Sequence, residues 1–307
     1  MLLKKMHNLA PIVLFVYNRP EHTRRTVEAL QKNDLALDSD LFVYSDNARD
    51  EKVQEDVDAV RAYIKTITGF KKVTIIEQEK NKGLANSIID GVTEIVNMYG
   101  KVIVLEDDLV TSPYFLKFMN DALDYYENEK KVWHISGWNY PIDTDGLDDV
   151  FLWRGMNCWG WATWRDRWQY FEKDLDKIIA TFDQKAIKKF NVCNGTGFWD
   201  QIIANKMKKN DTWAIFWYAT IFKQGGLCLN PAKTFVDNIG IDDSGHNCRG
   251  GDIFKNSLNS SYNVRMDAVL RENDLAVRKI IKFYKRNTSF YKLFKKYLFE
   301  KKLCWKK

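Results

Sequence analysis

Short apolar runs alternate with segments of helical periodicity through the first half of the chain. In the segment from residue 51, for example, Val53, Val57 and Val60 recur at the spacing of one helix face. The predicted strands are Ile12–Tyr17, Leu41–Ser45, Val73–Gln78 and Val102–Leu105, and the predicted helices begin near Pro20, Glu51, Leu84 and Pro113. Four strand–helix units in roughly 130 residues predict an α/β fold, with a mainly parallel central sheet and helices on both faces.

The fourth apolar run leads directly into three acids, Glu106, Asp107 and Asp108. Ligands of such sheets bind beyond the carboxyl ends of the strands, and the polar segments 17–20 and 44–47 follow the first two strands in the same way. Carboxylate oxygens suit Mn²⁺ or Mg²⁺, which keep other positions for water and phosphates. The pattern predicts a metal site that neutralises a diphosphate. The alternative is a solvated loop whose acids help to cap the next helix.

Composition narrows the class of protein. A chain of 307 residues with 45% hydrophobic residues can bury one large core or two small ones. No G-x-G-x-x-G follows the first strand and no P-loop motif occurs, which argues against dinucleotide and P-loop proteins. The apolar run Pro11–Tyr17 is far shorter than the roughly 20 residues of a membrane span, so we expect neither a signal peptide nor a transmembrane helix. Five widely spaced cysteines without a C-x-x-C pair favour a reducing, cytoplasmic location.

Basic residues are concentrated at the end of the chain. From Arg278 onward there are twelve Lys and Arg residues and one acid, Glu300. The net positive charge of this segment is larger than the +6 of the whole chain, so the rest of the chain is net negative. Its interleaved aromatic and aliphatic residues predict a basic amphipathic helix at an anionic membrane surface. A terminal helix docked on the catalytic domain is the alternative. The predicted division is a catalytic domain, 1–274, and a tail, 275–307.

Six segments, in order, resemble glycosyltransferase family 13, the N-acetylglucosaminyltransferase I-like group, and more closely its bacterial relatives. They are VYNRP, SDNARDE, NKGLANSI, VLEDDLVTSPYFL, ISGWN and CWGWATW, and the resemblance covers roughly residues 10–250. It implies the GT-A nucleotide-sugar transferase fold, with 1–110 binding the nucleotide sugar and 111–274 the acceptor. It also implies Mn²⁺ or Mg²⁺ binding by the E-D-D motif and direct displacement with inversion at the sugar.

The resemblance implies donor-side roles for residues in the matched motifs. Asp108 would be the direct metal ligand, with Glu106 and Asp107 near the ribose and sugar. Asp46 would contact a uracil-like base. The nucleotide-sugar-binding set is completed by Asn18, Arg19, Asn81 and Gly83, with Arg19 beside the phosphates. His246 is a candidate metal or phosphate ligand, although a loop histidine without such a role is at least as common.

On the acceptor side, the predicted binding residues are Trp138, Asn139, Trp161 and Trp213. Flat indole faces suit pyranose rings, but tryptophan is commonly part of a core. Inverting transferases also need a carboxylate that takes the proton of the acceptor hydroxyl. Ala214 falls where the family places that aspartate. Asp211, three residues earlier, and Asp200, in the literal F-W-D of this chain, are the two candidates, and the remaining alternative is another group or no base.

The predicted function is transfer of a hexose or N-acetylhexosamine from a UDP-linked donor to a glycan or lipid-linked acceptor in surface polysaccharide synthesis. An inactive glycan-binding protein stays open because of Ala214. A sugar nucleotidyltransferase also stays open, although no Gly-rich signature loop precedes Pro20. We expect a cytoplasmic protein attached peripherally to the inner face of the membrane, and nucleic acid is not among the expected partners.

Overall fold

The structure is a computed structural model that describes residues 8–193, 195–242 and 251–287. The strands within these ranges are β1 (Ile12–Val16), β2 (Asp40–Ser45), β3 (Lys72–Glu77), β4 (Lys101–Glu106), β5 (Leu109–Thr111), β6 (Val132–Ser136), β7 (Val150–Trp153), β8 (Trp161–Trp164), β9 (Leu227–Pro231) and β10 (Val236–Asn238). The α-helices are α1 (Pro20–Gln31), α2 (Gln54–Ile64), α3 (Leu84–Tyr99), α4 (Phe115–Tyr125), α5 (Arg165–Trp168), α6 (Leu175–Thr181), α7 (Gln184–Phe190), α8 (Phe198–Lys206) and α9 (Ala214–Lys223). A further helix, called here the C-terminal helix, covers 274–287.

Eight strands form one sheet in the order β3-β2-β1-β4-β8-β6-β9-β7. The first four are parallel, while β8 runs antiparallel to both β4 and β6. The predicted α/β fold with a parallel sheet built from the first four strands is confirmed. The sheet continues without a break from β4 into the strands beyond residue 110, so the two predicted halves share one sheet. A small antiparallel pair, β5 and β10, lies beside it.

Helices cover both faces of this sheet. In β1, Ile12 and Leu14 pack into one hydrophobic cluster, whereas Val13 and Phe15 pack into another on the opposite face. This alternation explains why the strand is continuously apolar. Helix α3 approaches β1 closely at Gly91, where a Cβ atom would lie 2.9 Å from the Phe15 ring. The close approach brings the amino end of α3 beside the carboxyl ends of β1 and β2.

The C-terminal helix is docked on the domain. Ala276 and Ile280 are fully buried in the main core, and the hydroxyls of Tyr284 and Tyr140 are hydrogen-bonded at 2.7 Å. Lys279 Nζ lies 2.8 Å from Asp143 Oδ2. The predicted boundary at residue 274 is therefore wrong for residues 275–287, because their apolar face packs into the domain core. The remainder of the predicted tail, 288–307, lies outside the described residues.

Two further predictions concern membrane spans and cysteines. Across the described ranges, no helix combines the length and apolarity that crossing a membrane requires. Among the described residues, Cys193 and Cys228 are free thiols, and Cys158 is partly buried. Cys248 and Cys304 lie outside the described residues.

Candidate active site

A cleft of about 540 Å³ opens at the carboxyl ends of β1, β2 and β4. The amino end of α3 and the loop before α9 complete its walls. All predicted nucleotide-sugar and metal residues that the structure describes line this cleft: Asn18, Arg19, Asp46, Asn81, Gly83, Glu106, Asp107 and Asp108. Asp211 lines it from the acceptor half. His246 lies outside the described residues.

The acids after β4 are held by Arg19, which follows β1. Asp107 and Asp108 are only 4% and 8% exposed. Arg19 Nη2 donates to Asp107 Oδ1 and also to Asp108 Oδ2, at 3.0 Å from the latter. The backbone N–H of Tyr17 donates to the Asp107 carboxylate, and Thr26 Oγ1 donates to the Asp107 carbonyl at 2.8 Å. The end of β4 is therefore fixed against the turn from β1 into α1.

Negative charge exceeds positive charge at this point of the cleft. Burial, followed by the charges of Asp108 and Asp107, raises the pKa of Glu106 to about 8. Burial also raises the pKa of Asp107 to about 6, although Arg19 opposes the shift. One guanidinium thus faces three carboxyl groups, and ionisation of Glu106 and Asp107 is disfavoured without a further cation.

This charge excess fits a hard divalent cation. Asp108 is the carboxylate best suited to bind one, because Asp107 is already engaged by both Arg19 and the Tyr17 backbone. Mg²⁺ and similar cations are commonly bound by one or two carboxylates, together with waters and substrate phosphates. The described residues contain no group of three or more His, Cys, Asp or Glu side chains that could hold a metal ion.

Gly240 covers the Asp108–Arg19 ion pair. The neighbouring Ile239 N–H donates to the Asp108 carbonyl at 2.9 Å, which places the 239–240 backbone directly over the pair. A Cβ atom at residue 240 would lie 2.2 Å from Asp108 Oδ2 and 2.9 Å from Arg19 Nη1. Only glycine permits this approach.

Asp46 organises the loop before α3 rather than presenting a free carboxylate. Its oxygens accept from the backbone N–H groups of Asn47, Lys82 and Gly83, each at 2.9 Å, and from Asn81 Nδ2 at 3.1 Å. These four bonds fill the four acceptor positions of a carboxylate. These bonds hold Asn81 and Gly83 at the cleft, and the contact of Asp46 with a base stays a prediction.

The predicted acceptor-binding residues are core residues. Trp138, Asn139, Trp161 and Trp213 are between 0% and 3% exposed. Trp161 stacks on Trp213 at 5.2 Å and on His134 at 5.4 Å between ring centroids. Burial lowers the pKa of His134 to about 3, so this ring is neutral and belongs to the same core. The prediction that these four side chains contact the acceptor is corrected, because they have no surface on which a sugar could lie.

The two candidate bases differ in position. Asp211 lines the cleft from the loop before α9, and its Oδ1 accepts from Lys173 Nζ at 2.6 Å. Asp200 is exposed in the first turn of α8 and does not line the cleft. Ala214 is the first residue of α9. Of the two candidates, only Asp211 shares the cleft with the E-D-D motif.

Several residues that line the cleft were not predicted. Tyr17 and Arg49 lie within segments that carry the family resemblance, and the Tyr17 hydroxyl accepts from the Arg49 N–H at 3.2 Å. Their presence in those segments was a usable signal. Lys209 and Asn210 come directly before Asp211, and their only signal in the sequence is that adjacency.

Solved structures with detectable similarity include TarS, a mannosyltransferase and a xylosyltransferase. TarS of S. aureus matches with a TM-score of 0.28 and 16% identity, over 38% of this chain and 20% of TarS, so the match spans only a fifth of that protein. The mannosyltransferase PcManGT of Pyrobaculum calidifontis, solved with GDP-Man and Mn²⁺, matches with a TM-score of 0.37 and 13% identity. The match covers 72% of this chain and 73% of PcManGT. Mouse xyloside xylosyltransferase 1, in its apo form, matches with a TM-score of 0.36 and 11% identity. The match covers 70% of this chain and 81% of the xylosyltransferase.

Similarity at this level carries no information on the donor or acceptor of the chain. A search among curated proteins finds no significant match. The family comparison is more informative, because the sequence profile of the GNT-I family matches residues 1–177, which is more than half of the chain. The chain therefore belongs to the GNT-I family, glycosyltransferase family 13, and is a glycosyltransferase with the GT-A fold.

Proposed function

We propose that this glycosyltransferase is a metal-dependent, inverting enzyme that uses a UDP-linked hexose or N-acetylhexosamine. The observation that carries the proposal is that an exposed carboxylate, Asp211, lines the same cleft as the acids Glu106, Asp107 and Asp108. Direct displacement needs these two parts on opposite sides of the sugar, one for the leaving group and one for the attacking hydroxyl.

Each part has a defined task in the reaction. A divalent cation held by Asp108 would stabilise the negative charge that grows on the departing diphosphate. Asp211 accepts the proton of the acceptor hydroxyl as the hydroxyl oxygen attacks the anomeric carbon. The bond from that carbon to the diphosphate oxygen breaks with its electron pair going to the diphosphate. Attack from the opposite side inverts the anomeric centre.

The proposed acceptor is a glycan or a lipid-linked sugar used in surface polysaccharide synthesis. A basic face beside the active domain supports this acceptor class, because it would hold the enzyme at a membrane where such acceptors are assembled. The proposed location is the cytoplasm, at the inner face of that membrane.

Donor binding tests the proposal. We expect the unfolding temperature to rise when a UDP-sugar and Mn²⁺ are added together, since a ligand at 100 times its Kd stabilises the native state by about 2.7 kcal/mol. We also expect slow release of UDP, and a chelator should remove both effects. Binding without hydrolysis or transfer would instead support an inactive glycan-binding protein. Release of pyrophosphate from a sugar 1-phosphate and a nucleoside triphosphate would identify a nucleotidyltransferase.

The membrane proposal rests on one stripe of the C-terminal helix. Arg278, Lys282, Lys285 and Arg286 are exposed and recur at helical spacing, opposite the buried Ala276 and Ile280. Residues 275–287 contain no acid. Each Lys or Arg near an anionic leaflet contributes about 1 kcal/mol, so these four cations together would give a substantial attraction.

We expect the full chain to co-sediment with vesicles that contain phosphatidylglycerol but not with pure phosphatidylcholine vesicles, and added salt should release it. Changing all four stripe cations to glutamine should weaken this binding severalfold and leave the unfolding temperature unchanged, because the four side chains are exposed. The matched control changes four exposed lysines elsewhere: Lys185, Lys188, Lys189 and Lys208. Equal loss in both variants would argue against a specific basic face.

A further inference from the structure

The cationic residues of the cleft differ in whether they already form ion pairs. Five carboxylates line it, together with three cations, Arg19, Arg49 and Lys209. Arg19 is paired with Asp107 and Asp108, and Arg49 Nε lies 3.3 Å from Asp50 Oδ2. Within the described ranges, Lys209 forms no ion pair, so its charge is available to a ligand in the cleft.

A specific turn brings Lys209 to this wall. Two residues after the end of α8, Lys208 adopts a left-handed conformation, at φ 54°. The Lys208 N–H donates to the Asn205 carbonyl at 3.0 Å, and the Lys209 N–H donates to the Ala204 carbonyl at 2.9 Å. This is the Schellman arrangement, in which glycine usually occupies the left-handed position. The turn ends α8 sharply and directs residues 209–211 toward the cleft.

The other end of the same loop is also fixed. Asn205 is 7% exposed, accepts from the Thr212 N–H at 3.1 Å and donates to Thr212 Oγ1 at 3.0 Å. Asp211, between these anchors, is held by Lys173. Because both ends of the loop are tied to α8, the Lys209 backbone can keep its position when a ligand binds, which lowers the ordering cost of a contact.

We propose that Lys209 Nζ binds the diphosphate of the sugar-nucleotide donor from the loop between α8 and α9. This inference rests on the proposed function. The diphosphate gains negative charge as its bond to the anomeric carbon breaks, and an ammonium group binds phosphate oxygens as a point charge. Arg19 cannot supply that charge without giving up its two carboxylates. Lys209 is therefore assigned to the leaving group, and Asp211 to the acceptor hydroxyl.

The test compares Lys209→Gln, Lys209→Arg and the control Lys208→Gln in the full chain. Lys208 is also exposed and adjacent, but it does not line the cleft. Calorimetric titration with UDP and Mn²⁺ should show about tenfold weaker binding for Lys209→Gln, because the neutral amide loses the charge-assisted hydrogen bond to a phosphate oxygen. Lys209→Arg should retain most of the affinity, and Lys208→Gln should retain all of it. Uridine, measured by competition, should bind all variants equally.

Two outcomes would overturn the inference alone while the proposed function stands. They are wild-type affinity for UDP in Lys209→Gln, and an equal loss of uridine binding in that variant, which would indicate damage to the nucleoside site. Failure of the wild-type chain to bind UDP or GDP, with or without Mn²⁺, would overturn the proposed function and this inference together. Unfolding temperatures of all variants establish that the folded state is compared throughout.

Discussion

Replacing Asp108 by asparagine should abolish Mn²⁺-dependent donor binding and lower kcat/KM by about 10³-fold, because a neutral amide is a poor ligand for a hard cation. The fold should persist, since Asp108 lies in the two-residue connection between β4 and β5 and the asparagine oxygen can still accept from Arg19. Calorimetry with Mn²⁺ and UDP measures the loss. Asp148→Asn, a carboxylate in a different cavity, is the control and should behave as wild type. Near-normal turnover of Asp108→Asn at saturating Mn²⁺ would exclude Asp108 as the ligand.

Gly240→Ala probes the same carboxylate without removing its charge. The new methyl group would lie 2.2 Å from Asp108 Oδ2, so the carboxylate, the backbone over it, or both must shift. We expect donor binding to weaken in the same metal-dependent way. Gly197→Ala is a suitable control, because its Cβ would meet only the end of the Asp200 side chain, at 3.0 Å, outside the cleft. Unchanged donor binding in Gly240→Ala would show that the Asp108 position is not critical.

The part of the fold that carries the acids was predictable because its signals are local. The predicted strands Leu41–Ser45 and Val102–Leu105 differ by at most one residue at either end from the observed Asp40–Ser45 and Lys101–Glu106. A buried parallel strand is apolar throughout, and a polar residue marks its carboxyl end. In contrast, the position of β8 between β4 and β6 depends on pairing between distant segments, and no local pattern specifies it.

The sequence predicted where the site residues lie in the fold but not which groups they bind by hydrogen bonds. Residue type and strand ends placed Asp46 and the E-D-D acids at one edge. Sequence could not reveal that Asp46 accepts four hydrogen bonds, one from Asn47 and three from the 81–83 loop, since three of those four donors are backbone N–H groups. The tryptophans were a different case, because residues predicted to bind the acceptor are buried in the core. Indole suits both a sugar and a core, and the choice for Trp161 and Trp213 depends on which side chains from other elements cover them.

The C-terminal helix illustrates a pattern with two physical solutions. An apolar stripe beside a basic one suits a membrane surface and also suits docking on a protein core. Burial of Ala276 and Ile280 shows that the apolar stripe is used for docking. The basic stripe is unaffected by that outcome, so deletion from residue 275 would test stability rather than membrane binding. Substitution of the exposed cations tests membrane binding separately from stability.

The second large effect is expected at the proposed base. Asp211→Asn should lower kcat by about 10²-fold or more while the affinity for donor stays nearly unchanged, because the proton is taken up only as the acceptor attacks. Asp200→Asn is the matched control. It makes the same chemical change on an exposed aspartate outside the cleft and should leave kcat close to wild type.

Separate measurements of donor binding and of transfer to acceptor distinguish the alternatives for the base. A large loss of kcat in Asp200→Asn with little effect at Asp211 would move the role to α8 and require that helix to approach the cleft during the reaction. Small and equal losses would indicate that neither carboxylate accepts the proton. In that case Ala214, at the position where the family has its aspartate, would mark a chain that binds a sugar nucleotide without transferring the sugar efficiently. If Asp211 alone gives the loss, the proton acceptor of this chain lies three residues before Ala214, in the loop that also presents Lys209.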